Sequence, residues 1–227
     1  MNWRVPKIWE DGECFILGGG ASLARQFCIP DSLIEAVVKK QESALKYSPY
    51  LSDLHNKHVI GVNMSYRLGD WIDMVFFGDK GFFLDNKDLL SQLTNLRIGC
   101  VPYVRDVSWV KFLVKDNKKT MGITSDPAKI AWNSNSGAAA INLAVHTGVK
   151  RVVLLGFDMN VDEKSRQWWH QYYAVRNVEK GKKIFARHLE CFADIAKDAN
   201  RLGVEILNAN PDSAINEFKK INIKDVL

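Results

Sequence analysis

Short apolar runs alternate along this chain with longer stretches in which apolar residues recur at helical spacing. Strand-like runs fall at Cys14 to Leu17, His58 to Asn63, Met74 to Gly78, Arg97 to Tyr103, Arg151 to Gly156 and Val204 to Asn208. Helical patterns occupy "SLIEAVVKKQESAL" (32 to 45), "GFFLDNKDLLSQL" (81 to 93), "SGAAAINLAVHTG" (136 to 148) and "ARHLECFADIAKDANRLG" (186 to 203), with stops at Gly148 and Gly203. Strands of continuous apolar, β-branched character that alternate with helices predict an α/β fold. The expectation is a Rossmann-like, doubly wound, mainly parallel sheet with helices on both faces, in one domain over residues 1 to 227.

Ligands of such sheets bind beyond the carboxyl ends of the strands, which turns the strand list into a list of candidate site residues. The first strand runs into "GGGAS", with Gly18, Gly19, Gly20 and Ser22, where the chain turns sharply to open a helix. Leu23 stands where a third glycine of GxGxxG would be, and no Gly-Lys-Ser/Thr follows, so a phosphate-cradling turn and a plain tight turn remain open. Further along lie Asn63, Asp79, Asn135, Ser136 and Gly137 of "NSNSG", Asp158, and Asn208 to Asn210. Each is also a residue type common in caps and turns. Several at one sheet edge predict a pocket able to hydrogen-bond a base, a ribose or a phosphate.

A polar segment of residues 158 to 183 carries Trp168, Trp169, Tyr172 and Tyr173 around His170, and is far longer than an ordinary connection. It reads as an aromatic lid, at about 159 to 183, or as a helical hairpin whose aromatics pack on the sheet. His170 and His188 are the candidate bases. Arg166, Arg176 and Lys182 in the same segment are candidates for neutralising phosphate charge. His146 is expected to satisfy the carboxyl end of its helix, and His55 and His58 lie at the opposite edge.

Composition narrows the classes. The 31 Lys+Arg against 26 Asp+Glu give a net charge of +5, but the basic residues are spread out, so a nucleic-acid partner finds weak support. The four cysteines lack metal-site spacing and read as reduced, mostly buried thiols. No apolar run approaches the roughly 18 residues of a membrane span and no signal-peptide core is visible, so the expected location is cytoplasmic.

At "NSNSGAAAINLAVHTGVKRVVLLGFDMN" the chain resembles a superfamily of Rossmann-like transferases. These include a bacterial sialyltransferase family and the domain typified by 6-hydroxymethylpterin pyrophosphokinases. The overall pattern, from "FILGGGASL" to "VEILNANPDSAINEF", looks like that of small phage and prophage proteins. The cytoplasm would then be that of the host. Here Ala21 replaces the usual proline, and Gln167-Trp168-Trp169-His170-Gln171-Tyr172 replaces a multi-histidine stretch. The resemblance implies nucleotide phosphates at Gly18, Gly19, Gly20 and Ser22, the nucleotide at Asn63, and sugar or phosphate at Ser136 and Gly137. Asp158 would hold a ribose or orient the loop, and His188 falls near the family's general base. It implies transfer, expected as glycosyl transfer, from a nucleotide or nucleotide sugar. Two alternatives stand beside it. One is diphosphate transfer from ATP with magnesium on Asp79 and Asp158. The other is a non-catalytic protein that binds a nucleotide or nucleic acid. No cofactor beyond the activated donor is specified.

Overall fold

The computed structural model describes residues 3–160, 168–170 and 185–227. Its centre is an eight-stranded sheet in the order β10-β9-β8-β1-β2-β3-β4-β5, with every neighbouring pair parallel. The main strands are β1 (Glu13–Leu17), β2 (His58–Val62), β3 (Met74–Phe77), β4 (Leu96–Gly99), β8 (Arg151–Leu155) and β9 (Glu205–Asn208). All six answer to strand-like runs of the sequence. Two-residue strands β5 (Lys111–Phe112) and β10 (Lys219–Lys220) form the edges, and β6 (Val114–Lys115) pairs with β7 (Lys129–Ile130) apart from the sheet. These four are too short to carry a period, and no pattern in the sequence marks them.

Each central strand feeds both faces. Ile16, Val152 and Leu154 join one apolar cluster, with α4 (Ser136–His146) and α5 (Phe192–Leu202). Phe15, Leu17, Val153 and Leu155 join the other, with α1 (Ser22–Gln26), α2 (Asp31–Val38) and α3 (Lys80–Gln92). A strand buried on both sides needs apolar residues at every position, which explains the unbroken runs. The chain winds from β1 outward through β2 to β5, then returns to β8 on the other side of β1. The order reverses between β1 and β8, and the carboxyl ends of these two strands flank the crevice.

The helix expected over 32 to 45 ends early. Lys40 takes a left-handed conformation (φ 60°) and donates its N–H to Val37 O, which closes α2. A 3₁₀ stretch, Ala44–Leu54, follows behind Ser43, whose hydroxyl accepts from Leu45 N–H. The run expected to reach Tyr103 stops at Gly99, and Pro102–Val104 forms a 3₁₀ turn. Gly203 closes α5 with φ +67°, as expected of a glycine stop. His146 does not cap its own helix; its Nε2 lies 3.1 Å from Lys129 O on β7 and 3.1 Å from Asn142 Nδ2. Cys14, Cys100 and Cys191 are buried free thiols, while Cys28 is exposed. Among the described residues no helix is long and apolar enough to cross a membrane.

Candidate functional site

The glycine turn after β1 is clamped to the turn after β8. Gly18 N–H donates to Leu155 O and Gly20 N–H to Gly156 O, both at 2.8 Å. The strands approach so closely here that a Cβ on Gly18 or on Gly20 would lie 2.6 Å from Gly156 O. Glycine is required at both positions by this contact.

Asp158 completes the clamp. It is 4% exposed, and its carboxylate accepts from Ser22 N–H at 2.9 Å, from the Ser22 hydroxyl, and from Asn210 Nδ2 at 2.8 Å. Burial pushes the Asp158 carboxyl above the usual carboxylate value in spite of these donors. Ser22, expected at the nucleotide, is 2% exposed and holds Asp158 instead of lining the cavity described below. Both Asp158 oxygens are in use, and Asp79 caps α3 by accepting from Phe82 N–H at 3.1 Å. Among the described residues no group of three His, Cys, Asp or Glu is placed to hold a metal ion.

The tripeptide Trp168-Trp169-His170 lies over the glycine turn. Gly20 forms an antiparallel bridge with Trp168, and Trp169 N–H donates to Gly19 O at 3.0 Å. The Trp169 indole is 1% exposed, packs edge-on to Tyr47 and donates from Nε1 to Gly18 O at 3.1 Å. A buried indole with a satisfied N–H makes a strong anchor. It presents Trp168 and His170, whose rings stack at 5.7 Å and 8°, to the space beyond the sheet. Arg166, Tyr172, Tyr173, Arg176 and Lys182, named with the expected lid, lie outside the described residues.

Beyond the strand ends opens a cavity of about 980 Å³. It is lined by Gly18, Gly19, Gly20, Asn63, Asp79, Asn135, Ser136, Gly137, Asp158, His170 and His188, while Ser22 and the strand-end candidates Asn208 and Asn210 stay outside the lining. Three buried polar atoms on its walls have no partner among the described residues: Asn63 Oδ1, Asn135 Nδ2 and His170 Nδ1. Such orphans are costly in a finished core; Gln26 Oε1, Asn95 Oδ1 and Arg97 Nε share the condition away from the cavity lining.

The local structure sets how these three side chains are held at the cavity. Asn63 leaves β2 in a left-handed conformation (φ 51°), which asparagine tolerates, and opens a 3₁₀ segment, Asn63–Leu68. Ser65 ties that segment to β1 by donating its hydroxyl to Leu17 O at 2.9 Å. Asn135 caps α4, its Oδ1 accepting from Gly137 N–H at 2.9 Å and Ala138 N–H at 3.3 Å. The cap uses only the oxygen and leaves the amide NH₂ over. Burial, aided by the Arg67 charge, pulls His170 down to about 4, so the ring is neutral at pH 7. Burial and the Arg187 charge also lower His188.

No family model and no curated protein matches this chain. Among solved structures it is similar to the MAf glycosyltransferase from Magnetospirillum magneticum AMB-1, with a TM-score of 0.61 and 12% identity. That match covers 100% of this chain and 36% of the other, so the chain spans little more than a third of that enzyme's length. The likeness is one of fold. The sialyltransferase CstII from Campylobacter jejuni, in complex with the substrate analogue CMP-3FNeuAc, also matches, with a TM-score of 0.49 and 14% identity over 92% of this chain and 85% of that one.

The cavity also contains residues that the strand-end rule passes over. Trp132, Phe82 and Phe157 supply aromatic surface, Asp85 and Asn86 come from α3, and Lys40 and Arg187 bring positive charge. Phe157 carried a signal, since it sits between Gly156 and Asp158 at a strand end. Lys40 had none, because it follows a helix at the other end of a strand connection.

Proposed function

We propose that this chain binds a nucleotide or nucleotide sugar in the cavity at the β1/β8 crevice and transfers the glycosyl group to an acceptor hydroxyl. The observation that carries the reading is the trio of unpartnered buried atoms, an acceptor, a donor and a neutral imidazole, in one cavity at the strand-order reversal. A base edge offers the complementary donor and acceptor pair, and Trp168, Trp132 and Phe82 give the same cavity aromatic surface against which a base or sugar can pack. The fold is like that of a glycosyltransferase, an analogy of fold that agrees with this reaction class.

In the transfer, the acceptor oxygen attacks the anomeric carbon, the bond from that carbon to the phosphate oxygen breaks, and the phosphate leaves with the electron pair. A base takes the acceptor's proton. His170 and His188 are the two imidazoles on the cavity wall. His170, near 4, is a weak base; the negative charge of a bound phosphate raises it toward the working range.

Diphosphate transfer from ATP would draw magnesium to Asp79 and Asp158. Those carboxylates are engaged in a helix cap and in the Ser22 and Asn210 clamp, which favours glycosyl transfer between the two. On this reading the chain acts in the cytoplasm, that of the host if a phage encodes it.

The test is a thermal-shift screen against CMP, UDP, GDP, ADP, ATP and nucleotide sugars, with and without magnesium, followed by a transfer assay with the stabilising sugar nucleotide. Stabilisation by a pyrimidine nucleotide without metal, abolished in Asn63→Ala, supports the proposal. A response confined to ATP with magnesium would replace it with diphosphate transfer. No response to any nucleotide would sink it.

A further inference from the structure

In phosphate-binding loops of the Rossmann type, free backbone N–H groups of the glycine turn hold the anion. Here the amides of Gly18, Gly20 and Ser22 already donate, to Leu155 O, Gly156 O and Asp158. Gly19 lies beneath the Trp168 indole, whose Cδ1 is 3.0 Å from where a Cβ would stand, and Trp168 itself bridges to Gly20. The helix that follows, α1, is five residues long. The turn therefore has little left to offer an anion.

Positive charge reaches the cavity by another route. Lys40 and Arg187 are its cationic lining residues among those described, contributed by the end of α2 and by the helical residues 185–189. The neighbouring Lys39 is spent on an ion pair with Glu35 at 3.5 Å. Lys40 and Arg187 have no ion pair or side-chain hydrogen bond among the described residues. The α3 wall carries Asp79 and Asp85, which repel an anion from that side.

Resting on the nucleotide-binding reading above, we propose that Lys40 and Arg187 together bind the phosphate of the ligand, in place of the glycine-turn amides. Side-chain cations on the rim neutralise the leaving phosphate as the glycosyl bond breaks, and this needs no metal ion. The left-handed conformation of Lys40 supplies an unusual control. Glycine adopts φ 60° freely, so Lys40→Gly removes the charge while relieving backbone strain.

The experiment is calorimetric titration of the wild type, Lys40→Gly and Arg187→Gln with cytidine, uridine, adenosine and guanosine and with their monophosphates, at several salt concentrations. The expected result is that a nucleotide binds the wild type more tightly than its nucleoside. Each substitution then weakens the nucleotide by about tenfold, leaves the nucleoside unchanged and flattens the salt dependence. Lys40→Gly should at the same time melt about 2–4 °C higher, which excludes unfolding as the cause. Nucleotide affinity and salt dependence equal to wild type in both variants overturn the proposal. Equal wild-type affinity for nucleoside and nucleotide also overturns it, while leaving the base-binding reading intact. If the wild type binds neither, the functional reading itself fails and takes this one with it.

Discussion

Asn135 caps α4 with the oxygen of its amide and leaves the NH₂ without a partner among the described residues, and substitutions can separate the two ends. Its oxygen caps α4, so Asn135→Ala should cost about 1 kcal/mol in urea denaturation. Asn135→Asp keeps the capping acceptor and adds a charge that suits a helix N-terminus. Its stability should stay within about 0.5 kcal/mol of wild type, yet nucleotide affinity should fall because the donor is gone. Unchanged affinity in Asn135→Asp would show that the orphan NH₂ meets no ligand. Gly20 presents the opposite case, a residue whose role is to have no side chain. A Cβ there would lie 2.6 Å from Asp158 Oδ2 and from Gly156 O, so Gly20→Ala should destabilise by about 1–3 kcal/mol. A Gly20→Ala protein as stable as wild type would show that the two turns can separate without cost.

The elements around the crevice are held by a few long-range ties rather than by length. The tripeptide at 168–170 docks through Trp169, which combines a buried ring with hydrogen bonds to Gly18 O and Gly19 O. Trp169→Ala should cost about 3–5 kcal/mol, whereas Trp169→Phe retains most of the packing and gives up the indole N–H. If the docked tripeptide presents His170 to the ligand, both variants should lose transfer activity, the Phe variant with a much smaller drop in melting temperature. Normal activity in Trp169→Phe would separate the anchor from the reaction.

Over the chain, three histidines that the fold holds below their ordinary value set the pH response. His146 and His188 are lowered mainly by burial, and His170, at about 4, likewise. Below about 6.5 and above each lowered native position the unfolded chain binds more protons than the native one, so stability rises with pH through that window. Denaturation midpoints should fall steadily as pH drops from about 7 to about 5. Asp158, held above its ordinary value, acts in the other direction: the native chain binds the extra proton at acid pH and offsets part of the loss. His146→Gln should flatten the slope, and a midpoint insensitive to pH in wild type would show that these rings keep access to water.

The periodic pattern was enough for the six main strands, the parallel order they imply, and the edge of the sheet where Asn63, Asp79, Asn135 and Asp158 gather. Strand burial on both faces and the short reach of turn chemistry write themselves into neighbouring residues. The split at Lys40 escaped the pattern because KKQES continues the helical spacing, and only packing decides which residue turns left-handed. The clamp of Ser22 on Asp158 joins residues 136 apart, so nothing near Ser22 could show that its hydroxyl and amide were already taken. For the same reason three glycines in a row announce a turn but not its purpose. Whether their amides face a ligand or β8 depends on which strand lies beside β1, a fact of tertiary contact alone.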